Sequence, residues 1–342
     1  MTGSIRNLLY LFGLLPALLV IYGNLHGGLF TLLNLFFTLI ILGILEWITP
    51  ESHSNNHSKK HDIFPKGILF LHVGFQTASI LSLLYGVYAN VLTGPWIIAA
   101  ALSTGLNSGA SAIVIAHEFI HQKNKTEQAF GKYLLFTAGN LYFFVDHLRV
   151  HHKWVGTPKD HATARLGESL YGFFMRSVRE QFLCSIKLEA ERLQKLKSAN
   201  YSLDNYVVRQ VLLQLILLLL LYIGIGYWAV LAWIVQCFLA NFLLEYVNYL
   251  EHYGLVRAEN ERATELHSWD SDKMISRFIL VDLTRHADHH FYASKPFHTL
   301  NSHKNSPKLP SGYAGMFFVA AIPVLWRKVM HPRLPKSGII RQ

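Results

Sequence analysis

Nineteen histidines stand among the 342 residues of this chain, and nine of them fall into four groups. The first is His117-Glu-Phe-Ile-His121. Its i, i+4 spacing puts both imidazoles on one helix face, where they can aim at one metal ion. Taken alone, the motif reads equally well as a zinc peptidase with Glu118 as general base. The second group is His147-Leu-Arg-Val-His151-His152, and the third is His286-Ala-Asp-His289-His290. The fourth is His252, within Asn248-Tyr-Leu-Glu-His-Tyr-Gly254. Within the clusters, spacings of three to five residues keep the side chains inside an arc of roughly 140° on a helix.

One zinc takes three or four ligands, so nine imidazoles overfill a mononuclear site and suffice for two metals. Imidazole ligation poor in carboxylate suits iron with positions open to oxygen. It differs from soluble di-iron bundles, which use Glu and Glu-x-x-His. Four acids sit beside the clusters: Glu118, Asp146, Glu251 and Asp288. Ligating imidazoles commonly donate their second N–H to a carboxylate. The four are expected just behind the ligands, with a direct ligand role for one of them left open.

The elements that must position these groups are helices in a membrane. Hydrophobic residues make up 51% of the chain and charged ones only 15%, too apolar a balance for an ordinary soluble enzyme. Asn7 to Leu45, Gly67 to Ala116 and Gln210 to Leu244 contain no Asp, Glu, Lys or Arg. A spanning helix needs roughly 20 apolar residues, so each block is long enough for two spans joined by a tight turn. Asn24 to Gly28, Asn90 to Pro95 and Gly224 to Gly226 carry the turn formers. The expectation is an all-α polytopic membrane protein with six transmembrane helices in three hairpins, spanning roughly 7–24, 29–47, 67–89, 95–116, 206–224 and 227–249. No small-residue cleavage site follows the first apolar stretch, so no cleavable signal peptide is expected.

Lysine and arginine are absent from the three hairpin turns and fill the other segments. The positive-inside rule then puts both termini and the segments 49–66, 117–205 and 250–342 in the cytoplasm. All four histidine groups fall on that side, near the bilayer surface, and can converge. A histidine-rich metal transporter would need ionisable groups midway through its spans; here only His72 is so placed.

The net charge of +10 suits a face turned toward anionic lipid and able to attract an acidic electron-transfer protein. No basic helix or aromatic motif points to nucleic acid. With Cys184 and Cys237 the only cysteines, neither a disulfide framework nor a CxxC knuckle is possible. Any iron–sulfur or rubredoxin partner must be a separate chain.

The chain reads as one catalytic domain, 1–342. His53, His57 and His61 in the first polar loop read as solvated. Leu170 to Lys197 has helical apolar period at Phe173, Val178, Phe182, Ile186 and Leu193, as for an amphipathic helix on the membrane surface. Gly315 to Trp326 is apolar but short and broken by Pro323, so it is expected at the interface or dipping in and returning.

The clusters and their surroundings resemble those of the integral-membrane alkane 1-monooxygenases, within the membrane fatty acid desaturase and hydroxylase superfamily. The first box is His117-Glu-Phe-Ile-His-Gln122. The second is Asp146-His-Leu-Arg-Val-His-His152 with Thr157-Pro-Lys-Asp160 and Ala162-Thr-Ala-Arg165. Asn248 to Leu255 resembles the motif that separates this family from ordinary desaturases. His267-Ser-Trp269, Leu283-Thr-Arg-His-Ala-Asp-His-His290, Leu309 to Met316 and Leu325 to Met330 complete the likeness. Asp146, Thr284, His161 and Phe291 to Lys295 depart from the usual pattern.

The resemblance implies two non-haem irons held by His117, His121, His147, His151, His152, His252, His286, His289 and His290. It implies O2 as co-substrate and electrons from rubredoxin, reduced by an NAD(P)H-dependent reductase. The implied substrate is an alkane drawn from the bilayer and hydroxylated at its terminal carbon, in a bacterial inner membrane. The same centre could instead serve xylene-type side-chain hydroxylation, epoxidation or desaturation. An alkane has no polar handle, so selectivity must come from an apolar channel between spans, with Phe36, Phe37, Trp47, Phe70 and Phe75 as candidates.

Overall fold

The computed structural model describes residues 3–55 and 63–335. His57 and His61 lie outside the described residues. His53 lies within them: its side chain is largely exposed, 3.1 Å from Asp272. Among the described residues there is no strand, only isolated bridges at Glu51 with Lys273 and Asp270 with Lys308.

Six helices are long and apolar enough to cross a membrane: Arg6–His26, Gly28–Ile48, Ile63–Tyr88, Pro95–Ile120, Tyr206–Gly224 and Tyr227–His252. The chain is an integral membrane protein, and the helices are paired by three tight turns. The first turn needs glycine twice over. Gly27 has φ of 69°, and a Cβ there would meet the Val91 carbonyl of the second turn at 2.5 Å. The fourth and sixth helices run past their sequence-predicted ends, to Ile120 and His252. His117 and His252 therefore sit on the last turns of continuous helices, which fixes their direction.

The fourth span is the central one, with 78% of its most apolar stretch buried. It packs in parallel against the sixth, and the small side of that contact is glycine. A Cβ on Gly105 would meet the Gln236 carbonyl at 2.6 Å, and one on Gly109 the Leu243 Cβ at 2.7 Å. Polar groups buried here hydrogen-bond to one another. Gln76 donates to Ser108 (2.9 Å), Asn107 to Gln76 (3.1 Å) and Ser108 to Gln236 (3.1 Å). In a membrane such groups have no water to turn to.

Leu170–Lys195 forms the expected long helix, started by Ser169, whose hydroxyl accepts from the Gly172 N–H. Its most buried line differs from the apolar stripe read from the sequence. Phe173, Ser177, Gln181, Ser185 and Glu189 face the protein, while Val178, Phe182 and Ile186 are half-buried. For Ser177 and Gln181 the reason is Glu245 on the sixth span, fully buried and bound by them at 2.7 and 2.8 Å, while Glu189 accepts from Arg149 at 2.9 Å and from the Tyr206 N–H at 3.1 Å. A buried carboxylate demands polar partners, and the helix turns that face inward. The apolar tail forms two short helices, Tyr313–Ala321 and Pro323–Met330, separated by a break at Ile322 just before the proline.

The segment leading to the third histidine cluster is clamped from three sides. Asp282 accepts from Arg6 at 3.2 Å and Arg277 at 2.7 Å, and Tyr10 also donates to it. Val281 and Asp282 adopt φ of 45° and 54°, costly for side chains with a Cβ, the more so for β-branched valine. The clamp ties the first span to the turn that launches His286.

Candidate metal centre

The nine histidines converge into two adjacent groups. His117, His121, His147, His152 and His289 form one; His151, His252, His286 and His290 form the other. Within each group, one nitrogen per ring lies within 4.8 Å of all the others. In the first, Nε2 of His121, His147 and His152 are 3.0 to 3.1 Å apart, and Nε2 of His289 is 3.1 Å from that of His152. In the second, Nε2 of His286 and His290 are 2.9 Å apart. The groups share a border, the His152 and His290 rings standing 4.6 Å apart.

The local helix type decides which histidine joins which group. His117 and His121, and likewise His286 and His290, are ordinary i, i+4 pairs and stay together. His147–His151 is a π turn, closed by the His152 N–H on the His147 carbonyl. That i→i+5 bond brings His152, not His151, back over His147. His151 is thereby turned to the second group, against His252 (4.8 Å between centroids) and His290 (4.8 Å). A second π turn, Ser108–Ile113, precedes His117 in the fourth span.

The donor set fits metal ions. Nε2 of His117, His151 and His252 is buried with no hydrogen-bond partner among the described residues. A neutral imidazole carries a single N–H, so a cluster of mutually facing Nε2 atoms cannot satisfy itself by hydrogen bonding, whereas lone pairs converging on a cation can. Protonation is opposed as well. Burial, reinforced by the neighbouring imidazole of His151, lowers His121 to about 3. Burial likewise holds His147, His152, His286, His289 and His290 well below the usual histidine range. Neutral imidazole is the ligating form.

The flanking acids take different places. Glu251 is buried, with Oε2 3.2 Å from His286 Nε2 and Oε1 accepting from the Tyr313 phenol at 2.7 Å. Glu118 accepts from Gln122 (3.2 Å) and the Phe297 N–H (3.4 Å). Asp288 faces Lys295 (2.5 Å), His303 (2.8 Å) and the Asn301 N–H (2.8 Å). Asp146 is buried with neither oxygen hydrogen-bonded among the described residues. Burial, with Asp160 and Glu245 nearby, pushes its carboxyl well above the usual carboxylate range.

The carboxylate that takes a ligand's distal N–H is one the sequence did not single out. Asp160 Oδ2 lies 3.0 Å from His151 Nδ1 and also accepts from Thr163 at 2.6 Å. Burial raises its carboxyl, but His151 and Thr163 outweigh burial and leave it below the usual range. Its only signal was its place in Thr157-Pro-Lys-Asp160, nine residues past His151. His252 is oriented instead by a backbone group, its Nδ1 lying 3.2 Å from the His267 carbonyl.

Two cavities meet at the fourth and sixth spans. One is apolar, between spans, and is lined by Leu42, Leu106, Leu243 and Phe317 among others. The other faces the histidines and is lined by His117, His147, His286 and Glu251. Gly109, Val114 and Val247 line both. The large aromatic residues expected from the sequence do not line them. Phe36, Trp47 and Phe70 are exposed on the outer surface of the bundle, and Phe37 and Phe75 are half-buried elsewhere. Aliphatic side chains on the inner helix faces, with Tyr246, Tyr313 and Phe317, shape the apolar cavity.

Residues 93–320 match the family model described as fatty acid desaturase. The chain is 40% identical over 238 residues to alkane 1-monooxygenase 1 of Pseudomonas aeruginosa, covering 68% of this chain and 62% of that protein. It is 33% identical over 304 residues to alkane 1-monooxygenase 1 of Alcanivorax borkumensis, covering 86% and 75%. The xylene/toluene monooxygenase hydroxylase component XylM of Pseudomonas putida is 28% identical over 225 residues, covering 66% and 61%. The chain thus spans about three fifths of the length of the Pseudomonas aeruginosa relative. With its six spans and its two groups of histidines, the chain belongs to the alkane 1-monooxygenase family within the membrane fatty acid desaturase and hydroxylase superfamily.

Proposed function

We propose that this protein is a membrane di-iron monooxygenase that hydroxylates the terminal carbon of an alkane. The balance is one alkane, one O2, two electrons and two protons giving one primary alcohol and one water. The observation that carries the reading is the pair of histidine groups beside a small cavity that shares Gly109, Val114 and Val247 with an apolar cavity between spans. His117, His121, His147, His152 and His289 would hold one iron, and His151, His252, His286 and His290 the other. When bound, the irons supply the one-electron and O2 chemistry that no side chain here can perform.

The chain's own residues bind, aim and exclude. The aliphatic walls bind a substrate without polar groups and keep water out. Gly109, Val114 and Val247 line both cavities, and in this reading a narrow chain end passes between them while its remainder stays among the spans. That geometry favours oxidation at a terminus. Asp160 and the His267 carbonyl hold His151 and His252 with Nε2 toward the site.

Rubredoxin, reduced by an NAD(P)H-dependent reductase, is the proposed electron donor. The net charge of +10 favours encounter with an acidic carrier. The charge bias of the loops supports a site and termini on the cytoplasmic side of a bacterial inner membrane.

The test combines iron analysis of the detergent-purified protein with product analysis in the presence of rubredoxin, reductase, NADH, O2 and octane. About two irons per chain and 1-octanol are expected. Two irons with benzylic oxidation of xylene but no octanol would move the reading to side-chain hydroxylation. One zinc, no iron and no product would overturn it.

A further inference from the structure

We propose that Lys132 and Arg209 hold the phosphate of an anionic glycerophospholipid, in the leaflet on the histidine side, with its acyl chains along the outer face of the fifth span. The site lies outside the metal centre and goes beyond the function proposed above.

Two helices running side by side bring the cations together. Helix Lys125–Thr137 turns back among the spans after the fourth of them ends, and its Thr137 hydroxyl accepts from Gln76 of the third span at 3.2 Å. The fifth span, Tyr206–Gly224, is started by Asn205, whose side chain accepts from the Val207 and Val208 N–H groups. Gln214 of that span donates to the Phe136 carbonyl at 2.8 Å and joins the two helices. Lys132 precedes Phe136, and Arg209 precedes Gln214, by about one helical turn. Both therefore stand near the start of the seam. They also share one ring, Lys132 Nζ lying 6.0 Å and the Arg209 guanidinium carbon 5.8 Å from the centre of Tyr206. Lys132 Nζ is 4.0 Å over Phe144 as well. Phe144 stands shortly before His147, which sets the site at the depth of the histidine groups.

The pair lacks a counter-charge. Glu189 is close by, but Arg149 (2.9 Å), Arg192 (2.9 Å) and the Tyr206 N–H (3.1 Å) already hold it. Among the described residues neither Lys132 nor Arg209 forms an ion pair. Arg209 donates one N–H to the Leu203 carbonyl at 3.0 Å. Burial and the like charge of Arg209 lower the Lys132 ammonium from its usual value, with Glu189 acting weakly against them. Two half-buried like charges repel each other, and an anion set between them relieves that repulsion.

The surface beneath the cations makes the ligand a lipid. Leu212, Leu213, Ile216 and Leu220 fall on the same helix face as Arg209, and all four are exposed. In a membrane that face meets acyl chains. A soluble acidic protein cannot follow it into the bilayer, whereas an amphiphile matches the cations with its head and the leucines with its tail. The head group should carry no cation of its own, since choline or ethanolamine would add a third positive charge to the pair.

The experiment is native mass spectrometry of the full chain in detergent, titrated with phosphatidylglycerol or with phosphatidylcholine of the same acyl chains. Thermal midpoints confirm that each variant is folded. The wild type should retain one phosphatidylglycerol with a preference of at least about tenfold over phosphatidylcholine. Lys132→Gln combined with Arg209→Gln should abolish the preference. Lys132→Arg combined with Arg209→Lys, which keeps both charges, should restore it. Arg327→Gln combined with Lys328→Gln removes the same charge from an exposed stretch of another helix and should leave the preference intact. Equal binding of the two lipids by the wild type, or equal loss in both charge-removing variants, would overturn the site. Displacement of the lipid by inorganic phosphate would overturn the lipid in favour of a free anion. An unchanged preference in the Lys132 and Arg209 variant, with a raised KM for reduced rubredoxin, would overturn it in favour of a protein docking face.

Discussion

Replacing Asp160 by asparagine tests how this protein holds a histidine ligand in the right tautomer. The carboxylate accepts on both oxygens: Oδ2 from His151 Nδ1 (3.0 Å) and Thr163 (2.6 Å), Oδ1 from the Ala162 N–H (3.1 Å). Asparagine offers one acceptor and one donor in the same volume. With its oxygen toward His151, its NH2 meets the Ala162 N–H, donor against donor. With its oxygen toward Ala162, its NH2 faces His151 Nδ1, pushes the ring's proton onto Nε2 and blocks the metal.

Either way one hydrogen bond to a charged group is lost, about 1.5–3 kcal/mol, or roughly 10- to 100-fold in affinity, the range seen when such supporting carboxylates are changed. The loss should fall on the group that contains His151 and spare the five-histidine group. The assay is iron remaining per chain after a timed chelator challenge, with hydroxylation rate measured on the same samples. Asp160→Asn should drop toward one iron per chain while the wild type keeps two. Equal retention in both proteins would refute the tautomer argument.

Three further outcomes follow from the geometry. The six histidines lowered by burial are neutral when folded but titrate near 6.5 when unfolded. The unfolded chain therefore binds more protons below that pH, and stability of the metal-free protein should fall as pH drops from about 7 toward 5. Thermal midpoints in detergent across that range check it, and a flat profile would contradict it. Gly109→Ala places a Cβ 2.7 Å from that of Leu243 where the two cavities share lining residues, so hydroxylation should fall at least about tenfold with iron content unchanged. Loss of iron in step with activity would show that the glycine serves the fold instead. Asp282→Asn leaves Arg6 and Arg277 buried beside a neutral group, and should lower stability by about 3–5 kcal/mol. A denaturant titration reads this directly, and a change under about 1 kcal/mol would mean that Asp282 is not a clamp.

The sequence by itself carried the membrane architecture and the inventory of metal-binding residues. Charge-free blocks of about twice a bilayer's length allow little except paired spanning helices, because a backbone in lipid must satisfy its own hydrogen bonds. Nine imidazoles at helix ends likewise exclude a mononuclear site by number alone. The sequence was less informative wherever a partner comes from far along the chain. Ser177 and Gln181 on the inward face of Leu170–Lys195 are explained by Glu245, distant in sequence and bound through them, and a hydrophobic period cannot register it.

Only the tertiary structure decided how the nine divide. On a uniform α-helix, His147, His151 and His152 share one arc; the π turn sends His151 to the other group. Adjacency in sequence did not select the carboxylates either. Asp288 lies between two ligand histidines and faces away to Lys295 and His303, while Asp160 reaches His151 across a turn. A side chain's chemical type is written at its own position. Where it points depends on helix pitch and on what other segments bring against it, and those are settled only when the whole chain is packed.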